Sequence, residues 1–215
     1  MKIRTINDFQ DCIDSEMSWR KHELSAIRSN VEDSRAFAKD TAIRAGIALI
    51  YAHWEGAIKN MATYYLEYVA NQGICYGKLK PNFLAVAMKY NLSSFTNSAK
   101  TTIHTNLVVD IINCQERKSK IPVEGIIKTN SNLNSEVFIE IMATIGLDCT
   151  KYESSYKLID SILLEKRNKI AHGERLAALD LDEKRYIEIH EKIFELIQNF
   201  ANDVSNAASL NLFLR

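Results

Sequence analysis

The chain has 215 residues, 47% hydrophobic and 25% charged, with 27 basic and 27 acidic side chains. That balance fits one globular domain and excludes both a basic nucleic-acid-coating protein and an acidic disordered one. Seven Gly and two Pro are too few for a turn-rich β-sandwich or a dinucleotide-binding α/β fold, and favour long helices.

Residues 6–30 read as helical. In 35–71, Ile43, Ile47, Ile50, Trp54, Ile58, Met61, Tyr65 and Tyr68 recur at spacings of three and four. That is one stripe of a single helix of about ten turns. Asp33 or Ser34 is the expected N-cap and Gly73 the expected stop. Residues 78–130 are less regular. Phe83, Val86, Ala87 and Tyr90 predict a short helix after Pro81, and a second is expected from about 102 to 117. The polar stretch 91–102 reads as loop, and 108–112 and 125–128 admit a strand as the alternative. Section 75–133 is expected to be a partly irregular insert or connector lying against a helical core.

Asn134 is placed to cap a helix holding Val137, Ile141 and Ile145 and ending at Gly146. Tyr152, Tyr156, Ile159, Leu163 and Ile170 fit the next stripe, with Lys166 in its missing place and Gly173 as the stop. The D-L-D-E run at 180–183 predicts a capping box for the last helix. That helix carries Tyr186, Ile189, Ile193, Ile197, Phe200 and Val204 on one face. The sum is an all-α antiparallel bundle, a single domain over 1–215.

Cys12, Cys75, Cys114 and Cys149 lie far apart, with no C-x-x-C and no nearby His pair. Neither a zinc site nor a disulfide framework is indicated, so free thiols in a reducing cytoplasm are expected, with no metal and no cofactor. The first twelve residues lack a secretory apolar core. The most apolar stretch, 45–52, is ended by His53 and Glu55, far short of a membrane span. A cytoplasmic protein that does not enter the membrane is expected.

One cluster has the makings of a reactive site: E-K-R-N-K-I-A-H-G-E-R at 165–175. It joins an Arg, an amide and a His at the end of a helix. Arg167 and His172 are five residues apart, so they lie ~140° apart on an ideal helix. They converge only if the helix ends near His172 or the Arg side chain wraps round. A His at a helix C-terminus feels the negative end of the dipole, and a His that titrates near neutrality moves protons. An adjacent Arg holds a phosphate and stabilises developing negative charge. Those parts are enough to cleave RNA without a metal. The ribose 2′-hydroxyl loses its proton and attacks its own phosphate, and the leaving oxygen gains one. An Arg and a His near a helix end are also ordinary capping residues, and spacing alone does not choose.

The run R-N-K-I-A-H, 167–172, resembles the R-x4–6-H motif of the HEPN superfamily (higher eukaryotes and prokaryotes nucleotide-binding). A-I-R-A-G-I-A-L-I-Y-A-H-W-E-G, 42–56, is similar to the long early helix of the MAE-type HEPN-like nucleases. N-S-N-L-N-S-E-V, 130–137, through G-L-D, 146–148, resembles the same branch just before its motif helix. The three stretches stand in the expected order and place about 35–205 within the resemblance.

The resemblance implies a helical bundle that forms a homodimer and sets two motifs in a shared cleft. It implies a metal-independent endoribonuclease acting on RNA, in bacteria usually a toxin or an abortive-infection effector, with an antitoxin or defence-system protein as partner. Carried over, Arg167, Asn168 and His172 are the catalytic residues. His172 would serve as general acid and base, and Arg167 would stabilise the phosphorane. Asn168 would orient the phosphate or the His. Some HEPN toxins carry a Tyr two residues after the motif His, which a partner nucleotidyltransferase modifies. Glu174 stands there in this chain, so that control does not carry over. The alternative is a HEPN domain kept as a scaffold, antitoxin partner or nucleotide sensor.

Glu55, beside the stripe of the long helix, is a candidate to orient Arg167 or His172, or else an edge ion pair. Lys166, Lys169 and Arg175 give the cleft a basic mouth or a solvated helix end. His53 is expected at the surface or an interface, and His22, His104 and His190 in solvent. Arg117, Lys118 and Lys120 read as an exposed basic loop. Tyr64, Tyr65 and Tyr68 can stack bases, but their helical spacing suits a core or dimer interface.

Overall fold

In the computed structural model, residues 2–175 and 180–215 are described. Helix α1 (Ile6–Glu32) opens on a capping box in which the Thr5 hydroxyl accepts from the Asp8 N–H and the Asp8 carboxylate accepts from the Thr5 N–H. Helix α2 (Ala36–Asn71) returns antiparallel to it after a short turn. Asp33 and Ser34 are not its N-cap: Asp33 ends α1, and Ser34 donates back to the Asn30 carbonyl. Arg35 stands at the cap with no side-chain bond. Lys39 instead ties the two helices, its Nζ donating to the Val31 carbonyl at 2.7 Å and the Glu32 carbonyl at 3.0 Å. Gly73, at φ 63°, takes the left-handed turn that follows α2, as its lack of a Cβ allows.

After a 3₁₀ turn at Tyr76–Lys78 come α3 (Pro81–Ala87), α4 (Lys89–Thr96) and α5 (Thr101–Asn113). Much of the expected loop 91–102 is therefore helix. Val108–Ile112 lies within α5, and 125–128 is turn and irregular chain. No strand occurs among the described residues, only two isolated bridges, Cys75 with Lys118 and Leu79 with Leu214. Helix α6 (Ser135–Ile145) has Asn134 as N-cap, its Oδ1 accepting from the Val137 N–H at 2.8 Å, and Gly146 at φ 73° as its end. The last helix, α8 (Glu183–Ser209), is capped by Asp182, which accepts from the Arg185 N–H at 2.7 Å. The third helical residue is Arg185 rather than an acid or amide, so the cap is single and not the expected box.

The expected single helix over 152–170 is three pieces: a 3₁₀ turn at Thr150–Ser155, a π-helical segment at Leu158–Leu164 and helix α7 (Glu165–Ala171). The Glu165 N–H reaches back to the Asp160 carbonyl, five residues, as the wide turn requires. The Asp160 carboxylate accepts from the Ser135 N–H at 2.7 Å and from its hydroxyl, which ties this segment to the start of α6. The Asp160–Ser135 contact joins residues 25 apart in the chain, which periodicity alone could not supply.

The core is where α1, α2 and α8 pack together, closed by α6 and the 158–171 segment. Trp54, Tyr65, Phe138, Tyr152, Tyr186 and Phe200 are fully buried in it. Phe138 sits among Trp54, Tyr152 and Phe200, with ring centroids at 5.5, 5.0 and 6.1 Å. No helix among the described residues is long and apolar enough to cross a membrane.

His53, expected at the surface or an interface, and His190, expected in solvent, both lie inside. His53 is 3% exposed and His190 6%. Arg20 Nη1 stands 3.2 Å from His53 Nδ1, and a guanidinium can only donate, so Nδ1 accepts and the ring proton sits on Nε2. Nε2 faces Glu23 at 3.1 Å, while Arg20 is paired with Glu16. His190 Nε2 donates to the Leu24 carbonyl at 3.0 Å. Half-buried His104 packs on Phe95 and bonds the Ser98 carbonyl at 2.7 Å; only His22 matches the solvated expectation.

Two stability outcomes follow. Phe138→Ala removes a ring from the centre of the aromatic group and costs about 3–5 kcal/mol, read as a lower urea midpoint. Burial is the main cause that holds both His53 and His190 below their ordinary 6.5. The unfolded chain binds protons at these rings that the folded chain refuses, so stability rises with pH across that window and falls as pH drops below 6.5. The urea midpoint is expected to fall between about pH 7 and 5, and His53→Gln to shrink that fall. A midpoint flat over this range contradicts the assignment.

Candidate functional site

The residues around Arg167 come from three places: α2, α7 and the turn at 129–134. Tyr51 is the anchor on α2. Its ring is 1% exposed, and the Arg167 guanidinium lies over it at 4.4 Å, a cation–π contact. The Tyr51 hydroxyl accepts from the Leu133 N–H at 2.7 Å. Burial, with the Glu55 carboxylate one helical turn on, pushes the Tyr51 phenol up to about 12, so it stays protonated.

Arg167 makes two further contacts. Nη1 donates to Asn168 Oδ1 at 2.7 Å, and Nη2 donates to the Ser131 carbonyl at 3.3 Å. All three partners are neutral, and among the described residues no carboxylate pairs with Arg167. Its charge is therefore held in place without being cancelled. Asn130 and Ser131 have φ of 53° and 56°, the left-handed region that non-glycine residues avoid. The Leu133 and Arg167 bonds pin the turn that holds them there.

His172 ends α7, and its exposed side chain makes no hydrogen bond among the described residues. The chain leaves the helix through a Schellman turn. Gly173, at φ 85°, donates to the Ile170 carbonyl, and the Glu174 N–H donates to the Lys169 carbonyl, each at 3.0 Å. The imidazole is thus displayed to solvent at the negative end of the helix.

The structure gathers part of the expected set. Arg167 and Asn168 are joined, so the partner of Asn168 is Arg167. His172 is on the same helix but not bonded to either. Glu55 is half-buried near the Tyr51 hydroxyl and makes no ion pair with Arg167 among the described residues. Lys169 pairs with Glu165 at 2.7 Å, and Arg175 is exposed. Lys166 reaches the Asp180 carbonyl at 3.3 Å. Tyr65 and Tyr68 are buried in the core, and Tyr64 is half-buried. Tyr51, Ser131 and Leu133 lie in the runs 42–56 and 130–137 but are not among the expected site residues. Tyr51 has the one usable signal, a large polar aromatic a turn before Glu55, on the flank of the apolar stripe.

The long helix α2 thus packs against the short helix α7 that carries Arg167, Asn168 and His172. A family model described as RiboL-PSP-HEPN matches residues 15–206, and the chain belongs to that family. Searches of curated proteins and of solved structures found no match.

Tyr51→Phe keeps the ring under Arg167 but leaves the Leu133 N–H without its acceptor. A buried unpaired donor costs about 1–3 kcal/mol. Hydrogen exchange at the Leu133 amide is expected to quicken, with a matching loss in unfolding free energy. Unchanged exchange would show that the hydroxyl does not hold the turn.

Proposed function

We propose that this protein is a metal-independent endoribonuclease in which Arg167, Asn168 and His172 carry the reaction. The observation that supports this most is the state of Arg167: fixed by Tyr51, Asn168 and Ser131, yet in no ion pair with a carboxylate among the described residues. A fixed cation with uncancelled charge suits a phosphate whose charge grows in the transition state. The exposed His172 supplies an imidazole free to exchange protons with a substrate.

The chemistry is internal transfer. An imidazole takes the 2′-proton, and the 2′-oxygen attacks phosphorus. The bond to the 5′-oxygen breaks and that oxygen takes a proton, leaving a 2′,3′-cyclic phosphate and a 5′-hydroxyl. Arg167 stabilises the phosphorane, and Asn168 keeps the guanidinium in plane. A second copy of the chain brings a second motif opposite the first, so that one His172 serves as base and the other as acid. Growth arrest as a toxin or antiphage effector, held in check by a partner protein, is the role that suits such an activity in a cytoplasmic setting.

Purified wild type is expected to cut total RNA in EDTA, since no step needs a metal. His172→Ala is expected to slow cleavage by about 10²–10⁴ while the chain stays folded and dimeric. Arg167→Ala is expected to slow it by about 10²–10³. Induced wild type would arrest growth and His172→Ala would not. Equal cleavage by all three proteins would place the chemistry elsewhere. No cleavage and no arrest by wild type would favour a HEPN domain that serves as a scaffold or sensor.

A further inference from the structure

Beside Ser131, the residue that receives Arg167, a groove of about 550 Å³ opens between α2 and the 123–131 segment. Its lining includes Lys59, Asn60 and Tyr64 from α2, and Glu124, Lys128 and Ser131 from the facing segment. Lys59 and Lys128 are exposed, and among the described residues neither has a carboxylate partner. Glu124 is the acidic residue of the lining.

Three features give the groove a direction. Tyr51, Glu55, Lys59 and Thr63 follow one another at four-residue steps on α2, a row that drifts about 40° per step round the helix from Tyr51 toward the groove, and the lining residue Ser131 joins the groove to Arg167. From Tyr51 to Thr63 is about 18 Å at ~1.5 Å per residue. The wall is also braced from behind. Asn60 donates to Glu16 at 2.8 Å, and Glu16 is locked to buried Arg20. The opposite wall carries the two left-handed residues Asn130 and Ser131, set by the bonds to Tyr51 and Arg167. Both walls are therefore preformed.

We propose that this groove holds the strand of single-stranded RNA that flanks the cleaved phosphate, with Lys59 and Lys128 on its backbone and Tyr64 beside a base. The inference rests on the ribonuclease reading for the position of the cleaved bond. It adds the track by which substrate leaves that position. The size favours a single strand: a cleft of this volume takes about one nucleotide and not the width of a duplex. Two cations with one opposing acid match a phosphate backbone, and a half-buried tyrosine offers a face to an unstacked base.

The test is anisotropy of a labelled oligouridylate of about ten nucleotides, measured against salt in a His172→Ala background so that no cleavage intervenes. Lys59→Glu with Lys128→Glu is expected to raise Kd at least about tenfold at low salt. It should flatten the slope of log Kd against log salt by about 1.4, at roughly 0.7 per lost phosphate contact. Lys184→Glu with Lys192→Glu on α8 changes the total charge equally and lies outside the groove lining. It should leave both readouts in place, and circular dichroism checks that each variant folds. Equal loss in both double variants, no loss in the groove variant, or no RNA binding by any protein overturns the proposal. So does preference of the groove for an acidic peptide over the oligonucleotide. Wild type that cuts RNA while the groove variant binds normally would end the groove proposal and leave the reaction standing. Wild type that cuts nothing, with binding lost only in the groove variant, would end the reaction and leave the groove standing.

Discussion

Burial of α2 is the constraint on which the other elements depend. From Ile43 to Val69 this helix turns apolar residues in several directions, among them Ile47, Ile50, Trp54, Ala57, Ile58, Met61, Tyr65 and Leu66. One partner cannot cover such a surface, so α1 and α8 flank it, and α6 and the 158–171 segment complete the enclosure. Each fully buried aliphatic or aromatic side chain contributes roughly 1.5–3 kcal/mol, which opposes any sliding of these helices. A helix held this way is a rigid rail. Side chains on it sit at set heights, and Tyr51 is the height at which α7 and the 129–134 turn both dock.

Charge inside that core needs its own arrangement. Arg20 enters the α1–α2 seam and finds Glu16, the His53 ring and the His53 carbonyl. Gly56 makes the room, for a Cβ there would stand 2.8 Å from Arg20 Nη2. A buried pair of this kind adds little net stability, but removing one member leaves a charge with no partner. Its effect is on register: α1 can meet α2 at one height only. Asn60 passes that register outward to the groove wall.

Around Arg167 the protein keeps orientation and charge apart. Neutral groups orient the guanidinium: an aromatic face, an amide oxygen and a backbone carbonyl. A carboxylate would have held it as firmly and cancelled what an anionic ligand needs. His172 is treated in the opposite way. The Schellman turn at Gly173 stops the helix and leaves the imidazole in solvent. The two groups share a helix yet meet different surroundings, which suits a site completed by whatever docks against the helix end.

The sequence by itself determined the class of fold and several of its helix boundaries. Spacing of three and four located α2 and α8, and a side-chain oxygen just before an apolar run located the start of α6 at Asn134. Gly146 and Gly173 marked true helix ends because a left-handed residue costs glycine nothing. These features are local, set within a turn or two of chain. Tertiary structure decided the rest. It broke the 152–170 stripe into 3₁₀, π and α pieces, because Asp160 found Ser135 on another helix. It buried His53 and His190, because Arg20 and the Leu24 carbonyl were there to receive them. It chose Tyr51 and Ser131 as the seat of Arg167, across chain separations that no periodicity reports. A helix stripe says which side of a residue is wet or dry. Only packing says which polar atom waits on the dry side.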